Sequence, residues 1–392
     1  MAVLLAGLVW ALLVGWLILR AVRQFRAHAA LSLERPKAKP IAPQQGAVAI
    51  IVPARNEAEN IGKCLAGLSA QRGLAVGSSI TVVNDGSQDA TADMVARAAS
   101  ADPRISLVEA GPLPAGWMGK PHACWRGAML ADTEWRCFID ADVRSAPELV
   151  ALAIETAERN SIDMLSLTPF QELGSFWERL IIPAGLVLIA CAKDLRVIDD
   201  PGSPEVSANG QFILIRRAVY FAVGGHEAVR DEICEDKALA ARVKQAGYRF
   251  RLLGAEHLAQ TRMYTDLASL WEGFSKNAIE IMGDGATTIA AATAGMVLAW
   301  MALLLPALAT MGFLQQPSVG AAIGCVLALL ASVATLGVQI GTARHFRIPA
   351  IYGLLFPFAY TVVASLAWRS VALRRGDRVT WKGRTYELDH KA

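Results

Sequence analysis

Charge is missing from long stretches of this chain. No Asp, Glu, Lys or Arg occurs between Asp284 and Arg344, nor from Met1 to Leu19. Such runs exclude an ordinary soluble protein, as do a 54% hydrophobic content and a mean hydropathy of +0.36. Net charge is small, +3, with basic residues beside the apolar runs. That pattern suits anionic lipid and argues against a nucleic-acid partner. Cysteine is sparse too. Cys64, Cys124, Cys137, Cys191, Cys234 and Cys325 show neither paired nor metal-type spacing. They read as reduced, mostly buried residues of a cytoplasmic domain. Internal repeats and low-complexity segments are absent.

The apolar runs set the expected organisation. Residues 1–20 are just long enough to span a bilayer and precede Arg20, Arg23 and Arg26. No basic residue comes before this run and no small-residue cleavage site ends it, which predicts an anchor rather than a removed signal. Positive charge on its carboxyl side places the adjoining segment in the cytoplasm. Residues 21–46 read as a linker containing Pro36, Pro40 and Pro43. Residues 284–343 hold two spans, near 289–313 and 319–341, turning at Gln315, Gln316, Pro317 and Ser318. A third apolar segment, residues 344–369, is interrupted by Pro357. A full span there would put the basic tail, residues 370–392, outside, against the positive-inside rule. A re-entrant or interfacial helix is therefore expected.

Residues 47–283 read as an α/β domain. Continuous apolar strands start at Ala47, Ile80, Ile105 and Trp135, with helical patterns between them. The alternation predicts a mainly parallel sheet covered by helices on both faces. Further strands are expected at Met164–Leu167 and Phe212–Ile215, and helices at 147–159 and 235–246, the latter ended by Gly247. Phe176 to Ala192 reads as a helix that lies on the membrane or in the core.

Ligands of such sheets gather at the carboxyl ends of the strands. Four acidic stations fall there or at a helix start: Pro53-Ala54-Arg55-Asn56-Glu57, Asn84-Asp85-Gly86-Ser87, Asp140-Ala141-Asp142 and Glu235-Asp236. Residues two apart in an extended segment share a face, so Asp140 and Asp142 can reach one ion. Mg²⁺ or Mn²⁺ takes oxygen ligands and is commonly completed by substrate phosphates. Asp85 can accept from a nucleobase N–H or a ribose hydroxyl, or merely close its turn. Glu57 can act on ribose or favour the next helix N-terminus. Lys120 is a candidate cation for base or diphosphate. Asp236 suits a base that takes an alcohol proton, or a plain N-terminal cap. His226 and His257 are candidate ligands, with structural roles the commoner alternative.

Taken together, these stations resemble family 2 glycosyltransferases of the GT-A fold over residues 47–277. Trp117-Met118-Gly119-Lys120-Pro121, Asn209-Gly210-Gln211-Phe212, Gly224-Gly225-His226 and Trp381-Lys382-Gly383-Arg384 are similar to the hopene-associated glycosyltransferases of hopanoid-producing bacteria. The resemblance implies donor contacts from Pro53, Glu57, Asp85, Lys120 and Asp140. It implies a metal on Asp142 with Asp140, Asp236 as catalytic base and inversion at the anomeric centre. Glu235, Arg262 and Trp271 are candidate acceptor or diphosphate contacts. Processive members carry Gln-x-x-Arg-Trp, whereas this chain reads Gln260-Thr261-Arg262-Met263-Tyr264, so transfer of a single sugar is expected.

The resulting expectation is a multi-pass enzyme of the bacterial inner membrane with its domain facing the cytoplasm. It would move a sugar from a nucleotide-sugar donor, a UDP-sugar, to a membrane lipid related to hopanoids. The alternatives are transfer to polyprenyl phosphate, which needs no strong base, and a non-catalytic membrane accessory protein that kept the fold.

Overall fold

The computed structural model describes residues 1–33, 46–374, 378–381 and 384–387. Residues 34–45, with the three prolines of the expected linker, and Arg375, Lys382 and Gly383 lie outside the described residues. A long helix α1 (Ala2–Ala30) comes first. The α/β domain then runs β1 (Val48–Ala54), α2 (Ile61–Ser69), β2 (Ser79–Asn84), α3 (Thr91–Ala101), β3 (Ile105–Glu109), α4 (Gly119–Met129), β4 (Trp135–Ile139) and β5 (Val143–Ser145). It continues with α5 (Leu149–Arg159), β6 (Met164–Thr168), β7 (Phe170–Gln171), α6 (Phe176–Ala192), α7 (Leu195–Asp199), β8 (Phe212–Arg216) and α8 (Arg217–Ala222). The last elements of the domain are α9 (Glu235–Gln245), β9 (Phe250–Gly254), β10 (Ala259–Thr261) and α10 (Leu267–Met282).

Seven strands form the main sheet in the order β3-β2-β1-β4-β8-β6-β9. Strands β1, β2, β3 and β4 are mutually parallel where they pair, and β8 is antiparallel to both its neighbours. The apolar runs in β1 and β4 are buried on both faces, as central strands between two helical layers require. Parallel order brings the carboxyl ends of β1, β2 and β4 to one edge, and with them Pro53, Asp85 and Asp140. A small second sheet, β5-β10-β7, was not legible in the sequence, because strands this short carry no periodicity.

Among the described residues four helices are long and apolar enough to cross a membrane: α1, α11 (Gly285–Gln315), α12 (Val319–His345) and α14 (Phe356–Arg374). A short α13 (Ile351–Leu354) precedes the last. Helix α1 extends ten residues past the expected end of the anchor, because nothing in Ala21–Ala30 breaks a helix. Its end is fastened to the domain, where Leu33 N–H donates to Gly254 O at 2.7 Å. Within the bundle α1 crosses α12 where Gly7 meets Gly324. A Cβ on Gly7 would lie 2.8 Å from Gly324 Cα, so only glycine permits that approach. Trp10 Nε1 donates to Ser332 Oγ across the same pair at 3.1 Å.

Helix α14 runs antiparallel to α11. Trp300 Nε1 donates to Thr361 Oγ1 at 3.0 Å, and Trp368 Nε1 to Thr293 Oγ1 at 3.1 Å. Its carboxyl end returns to the α/β domain, where Arg374 pairs with Glu280 of α10. The segment before it also starts there, since His345 lies 3.9 Å from Glu256. Both flanks of the third apolar segment thus meet the domain. A two-stranded hairpin, β11 (Arg378–Trp381) and β12 (Arg384–Glu387), comes last and packs through β11 on α10 and α14.

Candidate active site

The loops after β1 and β2 are bonded to each other. Arg55 Nη1 donates to Asp85 O at 2.6 Å, and Glu57 N–H donates to Thr91 Oγ1 at 2.8 Å. Ala58 N–H reaches Asp89 Oδ2 at 3.0 Å, while Asp89 Oδ1 accepts from Thr91 N–H at the start of α3. Pro53 lies in β1 opposite Val83 of β2. Asp85 is buried, 4% exposed, at the β2 end of this joined pair. Arg384 Nη1 holds its Oδ2 at 2.6 Å, while Oδ1 is buried without a hydrogen-bond partner among the described residues. Glu57 turns its carboxylate to Asn60 Nδ2 at 3.1 Å.

Asp140, Lys120, Glu235 and Asp236 converge. Lys120 Nζ lies 2.8 Å from Asp140 Oδ1 and 3.0 Å from Glu235 Oε1. Burial works against this ammonium, but Asp140 and then Glu235 outweigh it and keep Lys120 charged well above its ordinary range. Glu235 is buried too. Burial would raise its pKa, yet Lys120, with Lys276 of α10, holds it below the usual value. Glu235 is therefore one wall of an ion cluster rather than a free acceptor contact.

The loop before β8 joins this cluster to Asp236. Gly210 N–H donates to Asp236 Oδ2 at 2.7 Å, and Asp140 N–H donates to Gln211 O at 3.2 Å. A Cβ on Gly210 would stand 3.0 Å from Lys120 Nζ and 3.3 Å from Asp236 Oδ2, so the absent side chain admits both. Asp236 also accepts from Lys237 N–H at 2.8 Å. Burial and then Glu235 push Asp236 up to about 6, despite these two N–H donors. A carboxylate poised there is largely ionised at neutral pH yet basic enough to take a proton.

Asp142 stands one residue beyond Ala141, with Oδ1 buried and unpartnered. Burial, then Asp140, then Glu57 push it up to about 7. Thr261 and the charge of Lys120 offset only part of this rise. Among the described residues no three His, Cys, Asp or Glu gather as a metal cage. Two protein carboxylates completed by substrate oxygens nevertheless fit the way Mg²⁺ is commonly held.

Other expected residues lie apart from this cluster. Arg262 forks onto Glu178, with Nε to Oε2 at 3.0 Å and Nη2 to Oε1 at 2.8 Å. Glu178 also accepts from Gly174 and Ser175 N–H at the start of α6, so Arg262 latches that helix. Trp271 packs in the apolar cluster shared with α1, α11, α12 and α14. His226 is buried on Tyr220 Oη at 2.9 Å and burial pushes it down to about 4, which makes it structural. His257 is exposed. Sequence reasoning missed Arg384 as a site residue, although it stood in a noted motif. It also missed Lys276, which a lone lysine in an amphipathic helix does not advertise.

Residues 49–186 match the family model described as Glycosyl transferase family 2. The chain is similar to 4,4'-diaponeurosporenoate glycosyltransferases of Staphylococcus aureus. It is 29% identical to that of strain MRSA252 and 28% to that of strain USA300, covering 90% of this chain and 91% of each relative. Among solved structures, a mannosyltransferase of Pyrobaculum calidifontis in complex with GDP-Man and Mn²⁺ aligns at TM-score 0.48 and 18% identity. That alignment covers 93% of this chain and 98% of the other. A glucosyl-3-phosphoglycerate synthase of Mycobacterium tuberculosis aligns at TM-score 0.45 and 18% identity, over 64% and 86%. With a mainly parallel sheet and its acidic loops on one edge, the chain is a glycosyltransferase whose residues 49–186 match the family 2 model.

Proposed function

We propose that this enzyme transfers one sugar, with inversion, from a UDP-sugar to a membrane lipid related to hopanoids. The reaction takes place at the cytoplasmic face of the bacterial inner membrane. The observation that carries this reading is the place of Asp236 relative to the membrane helices. Its neighbour Lys237 donates through Nζ to Glu280 O at 2.6 Å, and Glu280 lies just before α11. This contact near the start of α11 supports a candidate base close to where a lipid headgroup would emerge. A named relative that glycosylates 4,4'-diaponeurosporenoate supports an acceptor of this class.

In this mechanism Pro53, Glu57 and Asp85 line the nucleoside pocket. Lys120, fixed by Asp140 and Glu235, offers a cation toward the diphosphate. Asp142, with Asp140, would hold Mg²⁺ or Mn²⁺, which when bound neutralises charge on the departing diphosphate. Asp236 accepts the acceptor hydroxyl proton as the oxygen attacks the anomeric carbon and the C–O bond to the nucleoside diphosphate breaks. Without Gln-x-x-Arg-Trp, and with Arg262 engaged by Glu178, a single transfer is favoured over polymer synthesis. With this reading goes the organisation expected from the sequence: a transmembrane anchor, a linker, the GT-A domain, two spans, and a re-entrant or interfacial third segment whose flanks both face the cytoplasm. That topology keeps the basic tail inside, as its charge requires.

A second reading is favoured by the relative's name, which denotes a carboxylate. An acceptor that is already anionic, whether carboxylate or polyprenyl phosphate, needs no strong base. The test is a screen of lipid-reconstituted protein against UDP-, GDP- and dTDP-sugars with Mn²⁺ or Mg²⁺. It reads nucleotide release with hopanoid, diaponeurosporenoate or polyprenyl phosphate added. UDP-sugar turnover that requires the hopanoid extract and Asp236 supports the first reading. Turnover that survives Asp236→Asn with an anionic acceptor supports the second.

A further inference from the structure

We propose that Arg384 of the carboxyl-terminal hairpin is a positioning residue of the donor site, holding Asp85 so that one carboxylate oxygen is left for the nucleoside. The inference rests on the reading of Asp85 as a donor contact, and it brings into the site a strand lying beyond all the membrane helices.

A carboxylate as covered as Asp85, 4% exposed, is costly to bury unless its oxygens are hydrogen-bonded. Oδ2 accepts from Arg384 Nη1 at 2.6 Å. Arg384 Nη2 lies 3.4 Å from the Asp85 carbonyl, which also receives Arg55. A guanidinium has the geometry to grip both carboxylate oxygens. Here it grips one, and Oδ1 stays a buried acceptor without a partner among the described residues. An unmade hydrogen bond of this kind is costly unless a ligand completes it. The N–H of a pyrimidine base or a ribose hydroxyl has the chemistry to do so.

Gly119 supplies independent support. A Cβ there would come within 2.5 Å of Asp85 Oδ2, 2.9 Å of Arg384 Nη1 and 3.3 Å of Tyr386 Oη. The three polar groups therefore close around a backbone that carries no side chain. Tyr386 also packs on Met118 and Ile233, beside Cys234, which precedes Glu235 and Asp236. One short strand thus touches the nucleoside end of the site and the loop that leads to the candidate base.

The test measures UDP binding by calorimetry with Mn²⁺ in detergent, alongside KM and kcat for the UDP-sugar that turns over. Arg384→Ala should weaken UDP binding and raise donor KM roughly 10- to 100-fold, with kcat at saturating donor within about 3-fold. Arg384→Lys should recover part of that loss. Combined with Asp85→Asn, Arg384→Ala should add little, because it acts through Asp85. Melting curves of each variant separate these effects from misfolding. If Arg384→Ala binds UDP as well as or better than wild type, the hairpin is a spectator or a plug and the proposal falls. If Asp85→Asn itself leaves UDP binding intact, or wild type binds no UDP, the donor reading fails and takes this inference with it.

Discussion

Asp236 offers the sharpest test of the chemistry. Its pKa near 6 arises from burial and from the adjacent Glu235, which together outweigh the N–H groups of Gly210 and Lys237. The proton must be absent for Asp236 to act as base, so turnover rises with pH through that value. Simple titration gives about nine-tenths ionised at pH 7 and about one-tenth at pH 5, so kcat should fall about 10-fold between them. The assay is nucleotide release at saturating donor and metal, where a bound cation has already displaced any proton on Asp142. Glu235→Gln removes a negative neighbour and should move the inflection downward. Asp236→Asn should cost about 10²- to 10⁴-fold in kcat while donor affinity changes little. A rate flat from pH 5 to 7, or an inflection that rises in Glu235→Gln, would refute the assignment of Asp236 as base.

The buried carboxylates lead to two further outcomes. Asp142→Asn should abolish the rise in melting midpoint that Mn²⁺ with UDP gives wild type. Without metal the sign reverses: the folded Asp142 pKa of about 7 lies above its unfolded value, so its ionisation erodes stability as pH rises toward 7, and Asn removes that cost. Equal metal-induced stabilisation of both proteins would exclude Asp142 as a ligand. Glu178→Ala should lower stability by about 2 kcal/mol, since it strips the α6 capping box and leaves Arg262 unpaired at a half-exposed site. An unchanged denaturant midpoint would show that this latch contributes nothing.

The sequence by itself determined the α/β alternation and the runs without charge, because buried parallel strands and bilayer spans both demand uninterrupted apolar residues. It also marked Asp85, Asp140 and Asp236, since loops at strand ends and helix starts are few and each carried a carboxylate. It did not reveal the antiparallel β8, whose apolar run reads like a parallel strand, nor the three short strands of the second sheet. Arg262 looked available in sequence and is engaged in space, because Glu178 lies far from it along the chain. Only the tertiary structure decided that Lys120 is shared by Asp140 and Glu235, that the third apolar segment begins and ends beside the domain, and that Arg384 reaches Asp85. Each depends on chain segments far apart in sequence meeting within hydrogen-bond range. Local propensity and charge counting carry no information about such meetings, because they are set by how the sheet, the bundle and the hairpin pack together.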